Sequence, residues 1–327
     1  MHKRRLNEWT LHLLIEPDGP ILIKSGTESG ADPTLAAMNF VRTRHPTTGE
    51  RTIYLPGSSL KGAIRSHAER IIRTVHGDDD RVCCDPLSKR NSCGTRYKDI
   101  QDTDAQYKAL CLACRIFGHT VQAGHLITAD AYPATPMDIL PVRHNVAIDR
   151  LSGGVAVGPF DMEVALEGQF ETRLTLINFE RWQVGLLALT LRDMAEGRLL
   201  LGYGKSRGLG RVKVYFGRLE VAYPGHFNAG DLDRTLYGAG ALAPDLVESY
   251  GYVRDDKGAF PVAGVMVPGS ASWGRPAVRF GFVEDSSLTT LTPEALGQAH
   301  QTVIAVLAST VGAWASYRPG HGGGHGE

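Results

Sequence analysis

The order in which strand-like and helix-like runs follow one another is the tightest constraint in this sequence. "LHLLIEP" (Leu11 to Pro17) reads as a buried strand. "TIYLPGSSL" (Thr52 to Leu60) is a short strand running into a helix start, with Ser58 and Ser59 as N-caps. Leu60, Ala63, Ile64, Ala68, Ile71, Ile72 and Val75 then recur at helical spacing, which predicts a helix ending near Gly77. Strands are expected at His125 to Tyr132 and, by alternation, at Phe170 to Phe179. Asn178 is placed to cap a second helix carrying Phe179, Trp182, Leu186, Leu189 and Met194. Two more strands are expected at Arg198 to Gly202 and Gly210 to Val221. Two aperiodic stretches, 77–118 and 139–160, read as insertions, the second as a projecting hairpin. Without them the order is β-α-β-β-α-β. The fold class is then α+β, with a ferredoxin-like (RRM-like) sheet carrying two helices on one face.

The first 221 residues therefore form one domain, and 222–327 a C-terminal extension. In that extension "RPAVRFGFVE" reads as a strand and Pro293 to Tyr317 as an apolar helix, while the tail 318–327 reads as disordered. With 327 residues, 43% of them hydrophobic, the chain can bury a sizeable core. "MHKRRLNEWT" has no apolar export region, and no apolar stretch approaches the ~20 residues that span a bilayer. A soluble, cytoplasmic protein is expected, with no membrane partner.

Lys plus Arg balance Asp plus Glu at 35 each, so global charge announces no partner. Its distribution does. From Arg198 to Arg218 there are six basic residues (Arg198, Lys205, Arg207, Arg211, Lys213, Arg218) and no acid. Within that run "GYGKSRGLGRV" (Gly202 to Val212) combines glycines, which let backbone N–H groups approach a ligand, with Lys205, Ser206, Arg207 and Arg211, which can meet phosphate oxygens. It is neither a Walker loop nor a dinucleotide fingerprint, because a strand follows it. A second anion cue is "LPGSSLKGAIR" (Leu55 to Arg65): a helix start, with Lys61 and Arg65 one turn apart on one face. The bland alternatives are a solvated basic face and an ordinary capped helix.

All five cysteines, Cys83, Cys84, Cys93, Cys111 and Cys114, fall within 32 positions. In a reducing compartment they favour metal or catalysis over disulfides. Two loop pairs suit a tetrahedral structural zinc held by Cys84, Cys93, Cys111 and Cys114. Cys83 competes with Cys84, which is favoured because Asp85-Pro86 makes a turn beside it, and His119 is the reserve ligand. The insertion shows no obvious apolar core, so the metal would hold it together.

"LPGSSLKGAIR", "CLACRIFG", "RHNVAIDRLSGG" and "GYGKSRGLGRV", in this order, resemble the motifs of the RAMP superfamily, specifically the backbone subunits of type III CRISPR effector complexes. The resemblance covers about Leu11 to Val221. It implies that Ser58, Ser59, Lys61, Arg65, Lys205, Ser206 and Arg207 hold the backbone of a guide RNA. It also implies that "RHNVAIDRLSGGVAVGPF" (Arg143 to Phe160) is a thumb hairpin wedged into the guide–target duplex. There Arg143, His144 and Arg150 can reach phosphate, and Ile148, Leu151 and Val155 can press on an unstacked base. Subunits of this kind that slice target RNA place one aspartate in the loop after the first strand. In "SGTESGADPTLAAMNF" that is Asp32, with Glu28 close by, acting with a divalent metal such as Mg. The partners implied are guide RNA, target RNA and neighbouring subunits. Three rivals stand beside this reading: a scaffold with Asp32 inert; a precursor-processing ribonuclease using His67, His144 and Lys205; and a zinc-stabilised protein-interaction module.

Overall fold

The computed structural model describes residues 4–26, 38–225 and 231–319. Strand β1 (Glu8–Pro17) is followed by a small hairpin of β2 (Arg42–Arg44) and β3 (Arg51–Ile53), then helix α1 (Gly57–His76). Three short helices, α2 (Cys93–Arg96), α3 (Thr103–Ala109) and α4 (Leu112–Phe117), lie in the cysteine-bearing segment. Next come β4 (Leu126–Thr128) and β5 (Tyr132–Pro133), a hairpin of β6 (Val142–Ile148) and β7 (Val155–Glu163), β8 (Phe170–Ile177), α5 (Arg181–Ala195) and β9 (Val212–Ala222). The last third adds β10 (Thr235–Tyr237), α6 (Ala239–Leu242), α7 (Val247–Tyr250), β11 (Lys257–Ala259), β12 (Val265–Met266), β13 (Ala277–Gly281) and α8 (Pro293–Ser316).

The protein is a mixed α+β fold built on antiparallel sheets. The main sheet runs β12-β13-β9-β1-β8-β4, with β5 also on β8. Helices α1, α5 and α8 pack side by side against it, α1 on β4, α5 on β9, α8 on β9 and β13. Alternation sets the inner face: Trp9, Leu11, Leu174, Leu176, Leu219 and Val221 are buried, whereas Thr10, His12, Arg173 and Thr175 lie between them on the other side. The C-terminal third continues the main sheet through β13 and adds α8, which contacts α5 along its length.

Several local expectations are corrected. Pro56, not Ser58 or Ser59, occupies the N-cap of α1; the Asp130 carboxylate accepts the Gly57 N–H at 2.7 Å, so no serine cap is required there. Asn178 does not cap α5. It sits at φ 49° and bridges Leu6 N–H and the Arg4 carbonyl, while Glu180 caps the helix in a capping box with Gln183. Arg198 to Gly202 is not a strand; Leu199 and Leu201 are buried from a loop, held by Arg198 and Leu199 N–H on the Asp193 carbonyl and by Leu201 N–H on that of Gly210. The cysteine segment does have apolar anchors: Val82, Tyr107, Leu112, Ile116 and Phe117 are all buried in the common core.

Candidate nucleic-acid interface and metal centre

The Gly-rich loop is strapped to the chain that follows β1. Tyr203 N–H donates to the Leu22 carbonyl at 2.7 Å, and Gly210 N–H to the Pro20 carbonyl at 2.9 Å. Gly202 is required for this: its φ is +74°, and a Cβ there would stand 2.2 Å from the Leu22 oxygen. Left-handed Gly204 and Gly208 bracket a single 3₁₀ turn, Lys205–Arg207, which presents Lys205, Ser206 and Arg207 to solvent, with Leu209 buried beneath.

Ion pairing divides the six-residue basic run. Arg198 pairs with Glu196 at 2.9 Å, Arg211 and Lys213 share Asp18 at 2.7 and 3.5 Å, and Arg218 is buried on the sheet, 4.0 Å from Asp285. Lys205 and Arg207 have no carboxylate within 4 Å among the described residues. Burial, then the charge of Arg70 on α1, lower the Lys205 pKa. The Arg207 guanidinium lies 6.0 Å over the Phe160 ring of β7 and 5.8 Å over Tyr203. Arg70 stands more than three turns past the start of α1, where nothing in the local sequence links it to the Gly-rich loop.

At that start, Ser58 is exposed and Ser59 half-exposed in the first turn. Lys61 and Arg65 do share a face one turn apart, and that face packs inward. Lys61 Nζ donates to the Leu126 carbonyl at 2.8 Å, and burial followed by Arg65 lowers its pKa. Arg65 donates to Glu69 at 2.8 Å and to the Gly118 carbonyl at 2.9 Å, and reaches Cys114 Sγ at 3.6 Å. The structure thus joins Arg65 to the cysteines, brings Arg207 beside the hairpin, and sets Lys205 near Arg70 of α1.

The β6–β7 hairpin carries its apolar side chains in the open: Leu151 is 98% exposed, and Ile148 and Val155 are exposed too. Asp149 closes the tip by accepting from Leu151 N, Ser152 N and Ser152 Oγ; the Ser152 backbone and hydroxyl bonds hold its carboxyl below the usual range. Arg143 and Arg150 are exposed with no carboxylate within 4 Å among the described residues, and His144 pairs with Asp161 at 2.6 Å. Asp32 and Glu28 lie outside the described residues. The chain on either side of them is fixed: Ser25 N–H donates to the Asn39 carbonyl, Met38 N–H to that of Asp161, and Glu163 N–H to that of Met38. The Met38 side therefore stands beside β7, and the Ser25 side against Asn39. His67 is buried and bonded to Asp193 at 2.8 Å, on a different element from His144 and Lys205.

The sulfurs of Cys84, Cys93, Cys111 and Cys114, all buried, lie within 4.8 Å of one another. Cys84 Sγ is 3.7 Å from Cys114 Sγ and 3.6 Å from Cys111 Sγ. Ligands about 2.3 Å from a tetrahedral zinc stand about 3.8 Å apart, so the donor set fits that ion. Backbone N–H groups of Cys111 and Cys114 point at Cys93 and Cys111 sulfurs, both at 3.4 Å, which stabilises thiolates. Four sulfurs leave no open position, so the metal's chemistry would be structural. Cys83 turns away, its thiol on the Glu69 carbonyl at 3.8 Å, and burial pushes that thiol up to about 12. His119 lies beside the centre, and burial lowers its pKa.

The RAMP superfamily model matches residues 15–213, well over half of the chain. The chain belongs to the RAMP superfamily. That membership carries a CRISPR-associated role and RNA binding in general. It covers the Gly-rich loop, the start of α1, the β6–β7 hairpin and all the cysteines. A search of curated proteins finds no match to the chain. Among the described residues no helix is long and apolar enough to cross a membrane.

Proposed function

We propose that this RAMP protein is a backbone subunit of a type III CRISPR effector complex that binds guide RNA, stacks on neighbouring subunits and cleaves complementary target RNA. The observation that carries the reading is the stacking of Arg207 on Phe160, which joins two motifs far apart in sequence into one surface. In this reading the core is ferredoxin-like, since the β-α-β-β-α-β elements β1, α1, β4, β8, α5 and β9 lie in sheet order β9-β1-β8-β4. Residues 1–221 form that RAMP domain and 222–327 extend it. Lys205, Ser206 and Arg207 hold guide phosphates together with Ser58 and Ser59. Arg143, His144 and Arg150 follow the backbone along the hairpin, and Ile148, Leu151 and Val155 form the wedge. Lys61, Arg65 and Arg211 act from behind, through β4, the cysteine centre and Asp18. Zinc on Cys84, Cys93, Cys111 and Cys114 fixes the insertion. Asp32 serves cleavage with a divalent cation such as Mg, in the cytoplasm.

The test is the double charge reversal Lys205→Glu/Arg207→Glu, with single-stranded RNA binding followed by fluorescence anisotropy across a salt series. Losing two phosphate contacts should cut affinity at least tenfold and flatten the slope of log K against log salt by about 1.4. An unchanged affinity and slope sinks the RNA assignment. Separately, Asp32→Asn should abolish cutting of target RNA while leaving target binding intact; undiminished cutting removes Asp32 from the mechanism.

A further inference from the structure

A second group of cations gathers at the foot of the hairpin. In the β2–β3 ladder Arg44 stands directly opposite Arg51, and Arg42 lies two residues before Arg44 on the same face. Like charges directly opposite across a ladder are destabilising. Here the described residues answer only part of the charge. Arg42 is nearly buried, bonded to Asp138 and Glu163 at 2.7 Å each. Burial works against its charge, and those carboxylates more than offset this, holding its pKa above the ordinary guanidinium value. Arg51 is exposed, 3.6 Å from the same Asp138. Arg44 is exposed, donates only to the Gly49 carbonyl, and has no carboxylate within 4 Å among the described residues.

These three arginines, with Ser25, Asn39 and Thr43, line an open cleft of about 530 Å³. Asn39 Oδ1 is buried with no hydrogen-bond partner among the described residues. The cleft therefore offers guanidinia for phosphodiester oxygens and an amide oxygen that no described residue occupies, for a hydroxyl donor. A strand bearing both is RNA, whose 2′-OH separates it from DNA.

Its position relative to the Gly-rich loop is set by β7. Over Phe160 to Glu163 the strand pairs residue for residue with Val142 to Asn145. Side chains three apart on a regular strand leave on opposite faces. Phe160 carries Arg207, and Glu163 carries Arg42. The base of the hairpin thus stands between two cationic sites.

We propose that the Arg42–Arg44–Arg51 cleft is the binding site for the second RNA strand, the target, on the opposite face of β7 from the guide held at the Gly-rich loop. This rests on the guide-binding reading above. The test uses the full chain loaded with guide RNA and a labelled complementary RNA, comparing wild type with Arg44→Ala/Arg51→Ala and with Arg51→Glu. Guide affinity should stay within twofold, while the double variant should bind target at least tenfold more weakly, with a salt slope flatter by about 1.4. Arg51→Glu places opposite charges across the ladder but a carboxylate beside Asp138, so its melting temperature should stay near wild type while target binding weakens at least tenfold, a combination that a merely structural pair does not give. Asn39→Ala should narrow the preference for an RNA over a 2′-deoxy target. Unchanged target affinity and slope in the double variant overturns the proposal alone. Equal losses of guide and target assign the cleft to the guide strand and overturn it too, as would an acidic peptide displacing neither RNA but binding the cleft. Wild-type chain that takes up no guide at all brings down the guide-binding reading first, and this one with it.

Discussion

Replacing the two adjacent cysteines one at a time discriminates sharply between ligand and bystander. Cys84 Sγ stands 3.6 and 3.7 Å from two other sulfurs of its cluster, close to the ~3.8 Å edge of a zinc–thiolate tetrahedron. Cys83 Sγ instead contacts the Glu69 carbonyl on α1. Structural zinc in small peptides contributes about 10–16 kcal/mol of apparent binding free energy, and most of that is lost with one of four thiolates. In this chain the consequence should be local. Tyr107, Leu112, Ile116 and Phe117 keep the second half of the insertion in the core without metal. Residues 85–92 are mostly exposed and have no comparable anchor. Cys84→Ala should therefore lose its zinc by elemental analysis and become cleavable by protease within 85–92, while far-UV circular dichroism changes little. Cys83→Ala should keep one zinc per chain and cost about 1–2 kcal/mol for the vacated buried sulfur. Zinc retained in Cys84→Ala, or lost equally in Cys83→Ala, refutes the assignment.

Gly202→Ala forces a left-handed alanine against the Leu22 carbonyl, and should cost at least about 2 kcal/mol and lower RNA affinity with it. Gly208→Ala, where a Cβ meets nothing within 4 Å, should cost only about 1 kcal/mol; equal melting shifts for the two would contradict the strapped loop. Leu151→Asp should leave chemical denaturation within ~0.5 kcal/mol of wild type, because the side chain touches solvent, yet alter target cleavage; a large stability loss means the tip packs on the protein. Burial raises the Glu180 pKa from 4.5 to about 7, against the opposing charge of Arg115. Its contribution to stability is thus full below pH 4.5 and lost as pH rises through about 7, by up to about 3 kcal/mol. Glu180→Gln keeps the acceptor for Val253 N–H, so its melting temperature should exceed wild type at pH 8 and match it at pH 4; identical differences at both pH values count against a buried, late-ionising carboxyl.

How far the sequence could be read depended on how local the deciding interactions were. The apolar repeat from Leu60 to Val75 specified α1, and the helix ends at His76 with Gly77 at φ 80°, where the pattern stopped. The clustered cysteines were equally legible, since four thiols at such spacing have few other uses. Choosing Cys84 over Cys83 needed coordinates, because neighbouring residues point different ways. Leu199 and Leu201 misled for a physical reason: a loop strapped to the chain after β1 buries alternate leucines as a strand does. Asn178 misled because its side chain bonds Leu6 and Arg4, more than 170 positions away, which no window of sequence contains. Strands β2 and β3 have three residues each, too few for alternation to register, so the arginines they align went unnoticed.

A neutral total charge and a cationic loop are compatible once pairing is taken residue by residue. Arg198, Arg211 and Lys213 each have a carboxylate within 4 Å, and such exposed pairs contribute little to stability. Their effect is to cancel field near the sheet. Arg65, expected to meet phosphate beside Lys61, is drawn to Glu69 and Cys114, where a thiolate cluster needs a counter-charge. Around the hairpin, the cations with no carboxylate within 4 Å among the described residues are few: Lys205 and Arg207 at the Gly-rich loop, Arg143 and Arg150 on the hairpin itself, and Arg44 at its foot. Charge in a sequence run measures supply; attraction for a polyanion depends on what is left after the chain's own acids have been satisfied. The salt dependence of RNA binding should accordingly follow these few side chains, and neutralising the paired arginines of the same run should barely move it.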